Sequence, residues 1–360
     1  MRDACQTLRM RNTMTADILD FEGEASQRRP YRGVAVLVPC LDEAPTVARV
    51  VTGFRETLPG CTVYVYDNGS SDATVALARD AGAVVRVEPR RGKGNVVRQM
   101  LRDVEADCYL MVDGDDTYPP EAAPAMVGPV LAGVADMVAG DRLSNGSYSS
   151  ENRRPGHGFG NELVRRAIGV LYGRTLRDVM TGYRAMSRPF AKTLPVLSQG
   201  FQLETEVSIW AIDRRWRVLE VPIDYRDRPQ GSASKLDTVP DGVRVLRCIG
   251  SLLKDYKPLT FFGALALALM AAGLTLGIPV IVEFGRTHLV ERLPTAICAV
   301  ALCGLAALML VCGLVLDTVA KSERRLWELE AMRACREDAA RRFGKSGPLV
   351  VAGREPHARP

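Results

Sequence analysis

From about residue 33 to 137 the chain alternates short apolar runs with amphipathic stretches. Val34-Ala35-Val36-Leu37-Val38 reads as a strand stopped by Pro39, and a helix is expected over about 45–57. Thr62-Val63-Tyr64-Val65-Tyr66 gives a second strand, followed by a helix to about Ala81 that Ser71 can cap. A third strand is expected over 84–87, a third helix over about 95–104 and a fourth strand over 109–112. Strands alternating with helices of this length imply a parallel sheet covered on both faces, an α/β architecture. The first turn lacks GxGxxG, so a dinucleotide site is not expected. Between 136 and 228 the pattern is mixed: a strand over 137–141, a loop rich in Ser, Asn and Arg, helices over about 160–172 and 204–214, and a strand over 217–221.

The pattern then changes. Segments 259–282 and 293–316 contain no charged residue, and each is 24 residues long. That length crosses a hydrocarbon core of about 30 Å. Lys254 and Lys257 precede the first segment, and Lys321, Arg324 and Arg325 follow the second. By the positive-inside rule both flanks are cytoplasmic and the turn at 283–292 faces the other side. Upstream, Val243, Leu246, Ile249, Leu252 and Leu253 recur at helical spacing beside Arg244, Arg247 and Lys254. That suits an amphipathic helix on the membrane surface, with a packed core helix as the alternative. The N-terminal stretch is polar and aperiodic, without the apolar region of a signal peptide. The expected division is a flexible leader (1–32), a catalytic domain (33–237), a juxtamembrane helix (238–258), two transmembrane helices with a short turn (259–316) and a cytoplasmic tail (317–360), helical to about 342.

Composition narrows the chemistry. A formal charge of +5 is too mild to argue for nucleic acid. Nine scattered cysteines without a CxxC pair fit a reduced, cytosolic chain with no zinc site. Three histidines (His157, His288 and His357) almost exclude His-based metal sites and Ser-His-Asp triads. Carboxylates, arginines and lysines must carry the work.

Asp113-Gly114-Asp115-Asp116 stands directly behind the apolar run 108–112. A buried strand that delivers clustered carboxylates at its C-terminal end delivers oxygen ligands suited to Mg²⁺ or Mn²⁺. Glu43 follows the first strand and Asp67 the second, so Glu43, Asp67, Asp113 and Asp115 can face one crevice. An Asp at a strand end can accept from a base N–H or a ribose hydroxyl; an Asx turn or helix cap is the ordinary alternative, and suits Asp72 better than Asp67. Arg90-Arg91-Gly92-Lys93-Gly94 can cradle phosphate before a helix, or be a solvated basic turn. Acids, a metal and a basic loop together describe a nucleoside diphosphate site.

These pieces, with Gly140-Asp141-Arg142, Gly160-Asn161, 178–184 (DVMTGYR), 200–206 (GFQLETE) and 225–235 (YRDRPQGSASK), resemble the inverting glycosyltransferases of family 2, which have the GT-A fold, Rossmann-like and specific for nucleotide-diphospho-sugars. The resemblance is greatest to the polyprenyl-phosphate (dolichol-phosphate) hexosyltransferases, several of which carry a two-span C-terminal anchor. It implies that Pro39, Glu43, Asp67 and Lys93 contact the nucleotide sugar, that Asp113 and Asp115 ligate the metal, and that Arg226, Arg228 and Lys235 sit on a loop closing over the donor phosphates, with Ser232 and Ser234 as further donors. Arg142 and, more loosely, Arg154 would meet the acceptor phosphate. Asp115, Arg142 and Glu204 are the expected catalytic residues. Glu204 would orient a sugar hydroxyl, or serve as base if the acceptor is a hydroxyl; as a helix-start carboxylate it also has a structural reading. Thr117 stands where many relatives have a metal-touching Gln.

The implied enzyme moves a hexose from UDP-glucose or UDP-N-acetylglucosamine, with GDP-mannose next, to polyprenyl phosphate. It would sit in the inner membrane with its catalytic domain and C-terminus in the cytoplasm, with a lean towards a homo-oligomer. The alternative is extension of a lipid-linked or exopolysaccharide glycan by attack of a sugar hydroxyl.

Overall fold

The computed structural model describes residues 30–144, 176–198, 203–226, 256–290 and 292–343, with 165, 166, 168, 169, 173, 250 and 254. Seven strands form one sheet: β1 (Val34–Cys40), β2 (Thr62–Asp67), β3 (Val84–Val87), β4 (Cys108–Met111), β5 (Met137–Asp141), β6 (Arg184–Ser187) and β7 (Val218–Pro222), ordered β3-β2-β1-β4-β6-β5-β7. The helices around it are α1 (Val47–Thr57), α2 (Thr74–Asp80), α3 (Lys93–Asp103), α4 (Ala123–Leu131), α5 (Arg188–Thr193) and α6 (Leu203–Asp213). The strand period of two sorts the core. Ala35 and Leu37 of β1 pack under α3, α5 and α6, while Val34, Val36 and Val38 pack under α1, α2 and α4.

The strands expected over 34–112 pair in parallel as read, β3-β2-β1-β4, and a strand that was not expected, β6, joins them. β6 runs antiparallel to both β4 and β5. Its four residues, Arg184-Ala185-Met186-Ser187, are all buried and show no alternation by which a strand could be read. The chain reaches β6 from the C-terminal edge of β4, so it can only run back down. Ser71 was also expected to cap the second helix; its N–H and hydroxyl instead bond Asp42, and Asp72 accepts from Thr74 at that helix start.

Two further helices follow, α7 (Pro258–Thr287) and α8 (Leu293–Phe343), both long and apolar enough to cross a membrane. They pack closely through small residues. A Cβ on Gly273 would lie 2.7 Å from the sulfur of Cys303, and one on Gly313 would lie 3.0 Å from Phe262 Cβ. The helix α8 does not stop at the end of its apolar stretch. It continues unbroken for 51 residues in all and docks its polar half on the catalytic domain.

Aromatic rings hold that dock. Trp327 of α8 stands 5.6 Å from Trp210 and 5.7 Å from Trp216, both edge-on, and Trp210 meets Phe190 at 5.1 Å. Further along, Glu105 gathers three cations: Lys192 at 2.8 Å and Arg188 at 3.2 Å from α5, and Arg341 at 2.8 Å from α8. The leader to residue 29, most of the helices expected over 160–172 and 238–258, and the chain beyond 343 lie outside the described residues.

Acid tests this junction. Burial alone would raise the Glu105 carboxyl, but Lys192, Arg188 and Arg341 outweigh it and lower it from 4.5 to about 2. A carboxylate depressed in the folded state contributes stability that is complete above its unfolded value and lost as pH falls through its folded one. The junction is therefore fully formed at pH 7 and weakens between pH 4.5 and 2. Thermal melting of Glu105→Gln is expected to lose the pH dependence of that window. The carboxylate is half exposed, so the effect at neutral pH is on the order of 1 kcal/mol or less. Superimposable pH curves for the two proteins would exclude ionic docking.

Candidate active site

The strand order turns at β1, with β2 on one side and β4 on the other, and such a switch opens a crevice at the C-terminal edge of the sheet. Register fixes what meets there. Cys40 pairs with Asp67 across β1 and β2, and Leu37 pairs with Met111 across β1 and β4. The turn at 113–115 therefore lies over the end of β1. A side chain on Gly114 would press within 2.6 Å of the Cys40 sulfur, and the Gly114 carbonyl accepts from Thr46 Oγ1 at 2.7 Å. Cys40 reports the crowding of acids: burial raises its thiol, and Glu43, Asp67, Asp113 and Asp115 each raise it further. The four carboxylates expected to converge do converge.

Lys93, the first residue of α3, places its ammonium 2.5 Å from Asp113 Oδ1 and 2.5 Å from Glu204 Oε1. Burial works against that charge, but Asp113 and Glu204 outweigh it and hold the ammonium above the ordinary lysine range. Three elements, the starts of α3 and α6 and the end of β4, thus meet on one cation. Asp115 is buried and accepts the Thr117 hydroxyl at 2.7 Å. The Thr117 hydroxyl is thereby committed to orienting Asp115.

The basic loop is shaped by a residue that the sequence did not single out. Asn68 donates to the carbonyls of Glu88 (2.9 Å) and Arg90 (2.8 Å) and accepts from the N–H of Gly92 at 2.7 Å. Glu88, itself buried, grips the Arg90 guanidinium at 2.7 Å, and the Arg90 N–H donates to it at 2.9 Å. Gly92 has φ 120°, a conformation glycine tolerates, and delivers Lys93 into the crevice. Asp67 is more structural than expected: its Oδ2 accepts from the N–H groups of Gly69 and Ser70, each at 2.9 Å, the Asx turn that the sequence reading favoured for Asp72. Asp72 accepts from the N–H of Thr74 in its own turn and from the N–H of Ala44 in the loop after β1, tying the two loops together.

The stretch Asp178–Arg184 buttresses the crevice residue by residue. Asp178 holds Arg142 in a bidentate pair, 2.6 Å to Nε and 3.0 Å to Nη2. The Arg142 guanidinium also reaches Tyr118 Oη at 3.4 Å and lies 5.4 Å from the centre of the Tyr225 ring. The Gly182 N–H donates to Tyr118 Oη at 2.8 Å, and a Cβ at Gly182 would come within 2.6 Å of Asp113 Oδ2. Arg184 is wholly buried; it donates to the carbonyls of Thr181, Val179 and Glu204, each at 2.9 Å, and to Ser208 Oγ at 2.7 Å. Burial lowers its guanidinium to about 10, so it stays charged at neutral pH. It fixes the first turn of α6, and with it Glu204.

The expected site residues divide accordingly. Pro39, Glu43, Asp67, Lys93, Asp113, Asp115 and Glu204 gather at the crevice, and Arg142 stands beside it in its pair with Asp178. Arg226 is tied to the same rim, its N–H bonding the Thr117 carbonyl at 2.9 Å while its guanidinium pairs with Glu121 at 2.8 Å. Arg154, Arg228, Ser232, Ser234 and Lys235 lie outside the described residues. Among the described residues no three His, Cys, Asp or Glu side chains are grouped to hold a metal by themselves.

Comparison with known proteins identifies the family. The profile of Glycosyl transferase family 2 matches residues 35–194. The glycosyltransferase AglJ of Haloferax volcanii is 34% identical over 304 residues, 82% of this chain and 98% of its own. The chain belongs to glycosyltransferase family 2, with the GT-A fold that the sequence led us to expect. A protein of the same organism named dolichyl-phosphate hexose transferase is 28% identical over 61% of this chain and 93% of its own. Among solved structures, glucosyl-3-phosphoglycerate synthase of Mycobacterium tuberculosis, crystallised with Mn²⁺, UDP-glucose and phosphoglyceric acid, matches with a TM-score of 0.48 and 25% identity over 62% of this chain and 79% of its own.

The contact of Gly182 with Asp113 gives a sharp test. Gly182→Ala introduces a methyl group that cannot share space with Asp113 Oδ2 at 2.6 Å, so Asp113 must turn away. Glycosyl transfer is expected to fall at least tenfold, an apparent barrier of about 1.4 kcal/mol or more, with the melting temperature little changed. Full activity would show that Asp113 needs no such wall.

Proposed function

We propose that this glycosyltransferase moves one hexose from a nucleotide diphosphate sugar to a polyprenyl phosphate, with inversion, on the cytoplasmic face of a membrane. UDP-glucose or UDP-N-acetylglucosamine is the favoured donor, with GDP-mannose next. The observation that carries this reading is the packing of the catalytic domain against α8, the second of two helices apolar enough to cross a membrane, which would keep the crevice near a bilayer-borne acceptor. The relative named dolichyl-phosphate hexose transferase supports it.

The chemistry asks for positioning more than for a base. A lipid phosphate is anionic at pH 7, so its oxygen attacks the anomeric carbon directly as the bond from that carbon to the nucleoside diphosphate breaks on the opposite face. The task is to bring two anions together and stabilise the departing diphosphate. Asp113 and Asp115 would hold Mg²⁺ or Mn²⁺, two hard carboxylates whose partners must be completed by diphosphate oxygens and water. Bound there, the ion would neutralise charge developing on the leaving group. Lys93 stands in the same crevice, where a diphosphate can draw it from Asp113. Glu43 and Asp67 flank the nucleoside position. Arg226 closes the rim, its pair with Glu121 exposed and cheap to exchange. Arg142, pre-set by Asp178, is placed for the acceptor phosphate.

The deciding assay supplies undecaprenyl phosphate to the full chain in detergent with Mg²⁺ or Mn²⁺ and follows nucleoside diphosphate release across UDP- and GDP-sugars. Release is expected to require the lipid, to appear with one donor class and to vanish in Asp115→Ala. Glu204→Gln is expected to retain a substantial fraction of activity. Its near-complete loss, together with release that needs a glycan in place of the lipid phosphate, would establish a hydroxyl acceptor.

A further inference from the structure

A second group of polar side chains, away from the crevice, meets where the chain enters α7. Asp213 ends α6, and Arg214 and Trp216 follow it; Tyr256 and Lys257 immediately precede α7; Arg324 and Trp327 come from α8. Arg324 Nη2 bonds Asp213 Oδ1 at 2.8 Å and the Tyr256 carbonyl at 3.1 Å, so the group sits level with the start of the first apolar helix. The Arg214 guanidinium lies 4.9 Å from the centre of the Trp327 ring. Glu204 opens α6 and Asp213 closes it, nine residues or about 14 Å apart on a helix. The group is therefore distinct from the catalytic site.

Its charges do not balance. Arg324, at 2.8 Å, and Arg214, at 3.6 Å, share the one carboxylate of Asp213. Its hydrogen bonds do not balance either. Nε and Nη1 of Arg214 and the indole N–H groups of Trp216 and Trp327 are shielded from solvent and have no hydrogen-bond partner among the described residues, against a single acceptor in the same state, Asp213 Oδ2. The Arg214 Nε stands 3.6 Å from Asp213 Oδ2, an ion pair too long for a hydrogen bond. Buried donors without partners are costly, and four donors facing one free carboxylate oxygen call for a further acceptor. Arginine and tryptophan at the edge of an apolar span suit one kind of acceptor, the phosphate of a lipid headgroup.

We propose that this seam between α6 and α8 binds the phosphate of an anionic phospholipid, held by Arg214 and Arg324 with Trp216 and Trp327 as indole donors. The inference rests on α7 and α8 lying in a membrane, and it is independent of the sugar and acceptor used in the crevice. A bound headgroup would satisfy the orphaned donors and fasten the docked half of α8 to the catalytic domain at the membrane surface.

The chain's three tryptophans are Trp210, Trp216 and Trp327, and all three belong to this ring cluster. Tryptophan fluorescence, excited selectively over tyrosine, therefore reads this junction and nothing else. The full chain in neutral detergent is titrated with phosphatidylglycerol, with phosphatidylcholine and with inorganic phosphate. A saturable change is expected with phosphatidylglycerol and none with phosphatidylcholine, and Arg214→Gln is expected to weaken the response at least tenfold. Arg214→Lys, which keeps the charge but loses the planar fork, is expected to weaken it several-fold and guards against a misfolded Gln variant. A matching response to inorganic phosphate would uphold a phosphate site that needs no acyl chain; its absence would uphold one that reads the lipid. Equal responses to the two lipids, or an unchanged response in Arg214→Gln, would overturn the proposal.

Discussion

The ammonium of Lys93 is the contact on which the crevice depends. Asp113 and Glu204 arrive from opposite halves of the catalytic domain, one behind β4 and the other at the start of α6. Two carboxylates held that close in a partly dry site would repel, and at least one would protonate or swing out. A cation between them turns repulsion into a clamp. The clamp needs three backbones to be right at once, which explains how much surrounding structure is spent on them. Asn68 and Gly92 aim the start of α3, Gly182 walls Asp113, and Arg184 pins the turn that carries Glu204.

That arrangement also suits a site that must accept a highly charged donor. Buried ion pairs contribute little net stability, because desolvation consumes most of their attraction. They do give a defined geometry, and Lys93 faces Asp113 through a single short contact that a diphosphate and its cation can replace with several. Arg142 differs. Its two-pronged pair with the fully buried Asp178 is supported by Tyr118, so it is held rigidly and offers only its outer edge. Lys93 is arranged to exchange partners, and Arg142 to stay where it is.

Much of this was legible in the sequence, for a simple reason. Parallel strands buried on both faces read as apolar runs, and the acids immediately behind them had to lie on one edge. Glu43, Asp67, Asp113 and Asp115 could be grouped on that ground alone, and the uncharged stretches at 259–282 and 293–316 declared themselves by length. What could not be read depended on tertiary context. Asn68 looked like the polar middle of a turn, yet its amide organises the basic loop from 24 residues away. Arg184 stood out only as the last residue of the 178–184 stretch, and nothing local shows that three carbonyls and a hydroxyl enclose it. The antiparallel β6 has no period to read, being buried on both faces. The helix beyond the second apolar span was expected to about 342 and runs to Phe343; its docking through Trp327 and Arg341 was not legible, because it depends on what the fold places opposite them.

The continuity of α8 changes what the anchor is. A flexible linker between domain and membrane would leave the crevice free to tumble, and each encounter with a lipid phosphate would lose orientational entropy. On the proposed membrane reading, a 51-residue helix, about 75 Å of continuous rod, pinned to the domain by Trp327 and further along by Arg341, removes that freedom in advance. The two pins differ in kind. The aromatic contact is short-ranged and insensitive to salt, whereas the cations around the half-exposed Glu105 weaken as ionic strength rises. Loss of the ionic pin alone would leave the helix attached but able to pivot about its tryptophan, so the angle between the crevice and the apolar helices is the property that the second pin controls.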